Sequence, residues 1–161
     1  MTQFDLKGAD ELLRKLRALP KNIAQKHLTR SARGAMAIVR DAAKANALKL
    51  DDPHTAVVIA THVTMKIDRR RSRSAGGVVV RVGVENGYGR YANTKHNVRK
   101  QRVGKLYERS GDAYHWIFLE LGTEKMAAKP FLGPALEANI ENVTDAFMQG
   151  LNSALDQELS R

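Results

Sequence analysis

A chain of 161 residues with 43% hydrophobic content holds enough apolar material for one domain with its own core, which excludes wholesale disorder. Cysteine is absent, which rules out disulfides and thiolate chemistry; no apolar run nears the roughly 18 residues that cross a bilayer, and Met1 to Leu6 lacks a signal-peptide layout, so cytosolic synthesis is expected. The net charge of +10 is concentrated between residues 69 and 109, where twelve Lys/Arg face only Glu85 and Glu108 while charges elsewhere cancel.

In chain order, Phe4 and Leu6 alternate before Gly8, and Ala9 to Leu19 reads as a short helix ended by Pro20. Leu12, Leu13, Leu16 and Leu19 share its face. Lys21 to about Ala47 predicts a long helix, with Leu28, Ala32, Ala35, Val39 and Ala42 forming a narrow stripe. Lys26, Arg30, Arg33, Arg40 and Lys44 gather on nearly the opposite side, as a stripe for DNA or, on balance, an ordinary solvated face. Asp51-Asp52-Pro53 has the pattern of a cap with proline at the first helical position, opening a short turn through Ala60. His62 to Asp68 alternates as a strand, residues 69–77 read as a basic hairpin connection ending in glycines, and Val78 to Val84 is a valine-rich strand.

From Glu85 to Asp112 the chain is polar, basic and glycine-punctuated, with Tyr88, Tyr91 and Tyr107 scattered through it, and reads as a long loop insertion. Ala113 to Leu121 predicts a strand apolar on both faces and therefore central in its sheet. Gly122-Thr123 closes it. Pro134 then opens a closing helix with Leu136, Ile140, Val143, Phe147, Leu151 and Leu155 as its stripe. The expected fold class is α+β, a single domain over residues 1–161. A small antiparallel sheet of three to four strands is packed by a long helix in the N-terminal half and a long C-terminal helix.

Chemistry finds little support. Gly87, Gly89 and Ala92 match the spacing of a dinucleotide fingerprint, but no helix opens from them to receive a phosphate. His27, His54, His62, His96 and His115 do not pair at metal-ligand spacing. Glu120 lies near His115 and Glu124, yet on an alternating strand His115 points to the opposite face. No catalytic residue, cofactor or metal is expected. Nucleic-acid contact is better motivated, because a cationic segment on a near-neutral body suits a polyanion, though a solvated loop is an equally weighted alternative. The candidates facing DNA are Arg69, Arg70, Arg71, Arg73, Arg90, Lys95, Arg99, Lys100, Arg102 and Lys105. With no zinc-finger or other reading motif, contact would be non-specific and salt-dependent.

Several blocks together carry a family likeness. They are Phe4-x-Leu6-x-Gly8, the short leucine helix, the alanine-rich helix, Asp52-Pro53, Tyr114 through Thr123, and Lys129-Pro130-Phe131-Leu132-Gly133-Pro134-Ala135-Leu136. In this order the chain resembles neck proteins of long, non-contractile-tailed phages: tail completion, tail terminator or head–tail joining proteins. The resemblance implies a non-enzymatic virion protein, assembled in the host cytoplasm, that forms a homo-oligomeric ring, as a hexamer. It would cap the head-proximal end of the tail around the DNA channel. Its partners would be tail-tube and head-connector proteins and double-stranded DNA in the lumen, with no membrane. Glu120, Gly122, Thr123, Pro130 and Phe131 are candidates for shaping the subunit interface, with Phe131 more simply a core residue. The basic segment would meet DNA in the lumen or, in a rival reading, grip an acidic neighbour in the neck. The alternatives are a non-specific DNA-binding protein free in the cell and a repeated tail-tube subunit.

Overall fold

The computed structural model describes residues 9–50, 58–85, 88–108, 113 and 115–160. The expectations for Phe4, Leu6 and Gly8, for Asp51-Asp52-Pro53 and for Tyr114 lie outside them. The chain divides into two compact units: Met1–Val39, Met65–Arg81 and Ala138–Arg161 form one, Arg40–Thr64 and Val82–Glu137 the other.

In the first unit, α1 (Ala9–Ala18) and α8 (Ile140–Leu159) pack through a leucine cluster. Leu12, Leu151 and Leu155 are buried at its centre, and Leu16, Leu19, Leu28, Phe147 and Met148 close around them. A polar clasp lies beside this core. Lys15 Nζ donates to Asn152 Oδ1 and to Asp156 Oδ1, both at 2.7 Å, and pairs with Glu11 at 3.1 Å. The hydrogen bond to Asp156, then that to Glu11, holds the Lys15 ammonium above its ordinary pKa. His27 and Glu158 share a second polar contact at 3.2 Å.

Helix α2 (Lys21–Leu48) belongs in part to each unit. Its buried row is Ser31, Ala35, Val39, Ala43 and Ala47, a strict step of four residues. The expected stripe shares only Ala35 and Val39 with it, because a four-residue step drifts against the 3.6-residue turn and Ala42 falls to the side. Arg40 of the basic stripe is engaged locally, in a two-point pair with Asp41 at 2.8 and 2.9 Å.

Strands β1 (Val63–Ile67) and β2 (Val80–Val84) pair with each other. Glu85 N donates to His62 O and Asp68 N to Val79 O, each at 2.9 Å, which sets an antiparallel register. The expected hairpin loop between them is a helix, α4 (Arg69–Ala75), built by its two ends. Asp68 accepts from the amides of Arg70 and Arg71, and Gly76 closes the C-terminus in the left-handed region at φ 64°.

In the second unit, α3 (Ile59–His62) supplies the buried Ile59 and Ala60. The stretch 85–112, expected to be loop, contains β3 (Tyr88–Arg90), α5 (Lys95–Arg99) and β4 (Leu106–Glu108). Strands β3 and β4 pair antiparallel with Tyr88 opposite Glu108 and Arg90 opposite Leu106. The described residues therefore hold two separate two-stranded sheets, not one sheet of three to four strands. The α+β class stands.

The expected central strand over 113–121 is instead α6 (Trp116–Leu121). Six apolar-rich residues satisfy a buried strand and a short helix equally, so periodicity cannot decide at this length. The closing helix is broken in two, α7 (Leu132–Glu137) and α8, with Ala138 and Asn139 between them.

Candidate functional site

The junction between α6 and α7 is fixed by several specific hydrogen bonds. Glu120 on α6 reaches across to α7's first turn. Its Oε2 accepts from Phe131 N at 2.8 Å and Leu132 N at 3.0 Å, and its Oε1 accepts from Gly133 N at 3.0 Å. Those amides are orphan donors at a helix start, and a carboxylate is the strongest acceptor a side chain can offer them. Lys129 N donates to Leu119 O at 2.7 Å, fixing the intervening loop to the same helix. Thr123 and Met126 exchange backbone hydrogen bonds at 2.8 and 3.2 Å, making a tight turn.

Gly122 ends α6 at φ 75° and ψ 179°, a conformation open essentially to glycine alone. A Cβ there would lie 2.8 Å from Ala128 N and 3.0 Å from Met126 O. Phe131 is fully buried, and Asn46 Nδ2 donates to its carbonyl at 3.4 Å. Of the five interface candidates, Glu120, Gly122 and Phe131 build this junction from within, Thr123 contributes its backbone to the turn, and the side chains of Thr123 and Pro130 are exposed. Glu120 and His115 are on or beside a helix, so the opposite-face argument drawn from an alternating strand does not apply. The Glu120 oxygens accept from three amides, a scaffolding arrangement.

Beside the exposed polar residues Thr123, Glu124, Lys125 and Lys129, the junction presents apolar side chains to solvent. Ile117, Phe118 and Leu121 of α6 are exposed, Leu121 to 75%, as is Met126 in the following turn. Contiguous exposed apolar residues mark an interaction surface. The sequence hid them, because a strand apolar on both faces implies burial. The available signal was the glycine–threonine turn so soon after a short apolar run, which leaves too little length to cover both faces.

The ten candidates for DNA contact fall into the two units. Arg69, Arg70, Arg71 and Arg73 lie on α4 in the first. Besides capping the helix, Asp68 sits 3.7 Å from the Arg71 guanidinium and 3.3 Å from that of Arg81. The Arg71 amide, with the nearby Arg81 charge and the Arg70 amide, holds the Asp68 carboxyl below its usual range. Ser72 Oγ donates to Asp68 O at 2.6 Å and accepts from Val79 N at 2.9 Å, tying the helix to the strand that follows. Arg73 Nε donates to Arg69 O. The side chains of Arg69 and Arg70 point to solvent with no acid paired to them among the described residues.

Arg90, Lys95, Arg99, Lys100, Arg102 and Lys105 lie in the β3–α5–β4 excursion of the second unit. Thr94 caps α5 by accepting from Asn97 N. At the other end Arg102 N donates to Asn97 O and Gln101 N to Val98 O, a Schellman closure with Gln101 at φ 50°. Arg102 stacks over Tyr91 at 4.4 Å and donates to Asn97 Oδ1 at 3.0 Å, while Tyr91 meets Tyr107 with ring centres 4.7 Å apart. Arg90 donates to Gly104 O at 3.0 Å. Arg90 and Arg102 thus help build the excursion, and Lys95, Arg99, Lys100 and Lys105 are exposed on it without an ion pair among the described residues.

Among the described residues no three metal-ligating side chains gather, and no helix is long and apolar enough to cross a membrane. The first unit has an open groove of about 400 Å³ lined by apolar side chains, including Ala35, Met36, Val80 and Phe147. Such a lining offers no acid, base or nucleophile.

A family model described as "Bacteriophage HK97-gp10, putative tail-component" matches residues 10–94, just over half of the chain. The chain belongs to this family of phage tail components. The matched span covers α1, α2, the α4 hairpin and β3, and ends just before α5. No curated protein and no solved structure matches the chain.

Proposed function

We propose that the protein is a structural, non-enzymatic component of the phage neck. In this reading it forms a ring, on the order of six copies, at the head-proximal end of the tail around the DNA channel. The observation that carries the reading is the exposed apolar face of α6, held rigidly by the Glu120–α7 junction. A face of that kind suits repeated contact with a neighbouring copy, and one heterologous contact repeated about an axis closes a ring. Membership of a tail-component family supports a place in the virion. The arginines of α4, polar and unaccompanied by large apolar side chains, suit non-specific contact with the phosphates of DNA passing through the lumen. The tail tube and the head connector are the expected neighbours.

The test is a count of this protein in purified particles by mass spectrometry, relative to the major capsid protein. About six copies is the expected result for one closed ring. Dozens would make it a repeated tail-tube subunit, and absence from particles would favour a DNA-binding protein free in the cell.

A further inference from the structure

Between Arg90 and Lys105 the chain carries six cations and no acid. In an unstructured loop such charges could spread apart. Here the capped α5, the Schellman closure and the Arg102–Tyr91 stack hold them on a fixed scaffold. Fixed like charges repel, and an anionic surface laid against them relieves that repulsion.

Two kinds of polyanion could do so, and the apolar residues discriminate between them. Val98 is 54% exposed and Val103 41% exposed, and both are interleaved with Arg99, Lys100, Arg102 and Lys105. A phosphate backbone gives a valine nothing to pack against and stays strongly hydrated. A protein surface with an apolar centre and a polar rim gives the valines a partner and the cations counter-charges. Helix α4 offers the contrast, since Arg69–Ala75 contains arginine, serine and a single alanine. A second copy of this chain is a poorer match for the α5 surface. Its acidic stretch, Glu137, Glu141 and Asp145 on α7 and α8, is exposed but sets only three acids against six cations.

We infer that the surface around α5 is a docking site for a different protein, one presenting acidic side chains around an apolar centre, and that the cationic segment serves two partners: DNA at α4 and this protein at α5. The inference goes beyond the ring reading and does not require it.

The test places a photoreactive benzophenone amino acid at position 98 of the full-length chain, and in a second variant at position 103, both exposed sites. Cells producing the phage are irradiated and the adducts identified by mass spectrometry. The expected adduct is with a protein other than this chain, at a peptide with acidic residues flanking apolar ones. It should fall at least tenfold in the R99E/K100E background, with far-ultraviolet circular dichroism unchanged. An adduct with DNA, with a second copy of the chain, or with a protein but insensitive to R99E/K100E overturns the inference, as does the lack of any adduct from both positions. Because irradiation is done in cells, absence of the protein from finished particles would defeat the ring reading while leaving this result to stand or fall by itself.

Discussion

Glu120 shows how one side chain sets the geometry of a surface it does not itself form. Its carboxylate joins α6 to the first turn of α7 through three amides, and Gly122 lets the chain turn back under it. Removing the carboxylate orphans those donors in a part-buried position, where each lost charge-assisted bond matters. Glu120→Ala is therefore expected to destabilise the protein by about 2–4 kcal/mol in urea unfolding. Glu120→Gln keeps an acceptor oxygen but loses the charge and turns an NH₂ toward amides, so about 1–2 kcal/mol is expected. Equal stability of Glu120→Ala and the parent chain would show that α7 is held by packing of Phe131 alone.

At the scale of elements, what the sequence revealed followed length and capping more than hydrophobicity. Helices α1 and α2 were legible because Pro20 punctuates them and apolar residues recur over several turns. Strands β1 and β2 were legible from alternation and valine content. Helix α6 was misread because Trp116–Leu121 is too short for periodicity to decide, and the error concealed the exposed face. Linear charge could not show that the cations of α4 and of α5 fall in different units. Helix α4 has no apolar stripe at all, and its only sequence signals were Asp68 before it and Gly76-Gly77 after it. That makes it dependent on its cap. The Asp68 carboxyl lies below its unfolded value, so its stabilising effect is complete above the ordinary aspartate pKa of about 3.9 and is lost as pH falls through the lower folded value. Asp68→Asn should flatten that acid-side loss in a thermal-melting series between about pH 2 and pH 5. An unchanged profile would mean that the Arg71 amide and the Arg81 charge do not act through this carboxyl.

For the whole molecule, the consequence of the charge distribution is that DNA affinity and partner affinity should be separable. If α4 meets phosphate, each cation that does so releases counterions, and log K falls with log salt by roughly 0.9 per phosphate neutralised. The variant with Arg69, Arg70 and Arg73 all changed to serine should lower that slope by about 2–3 on a 20-base-pair duplex. The loss should be the same for duplexes of different sequence, since phosphate contacts carry no base information. Those side chains are exposed, and although the Arg73 bond to Arg69 O is lost, the Asp68 cap and the Ser72 tie to Val79 are kept, so the fold should be retained. Fluorescence anisotropy across a salt series reads this directly. A matching fall in slope when Lys95, Arg99 and Lys100 are changed to serine would return the second unit's cations to DNA. A slope that moves only with the α4 arginines would leave the excursion free for its protein partner. In the proposed ring the difference would be amplified, because several copies presenting α4 to one duplex would multiply a weak contact through effective concentration, without any new interaction.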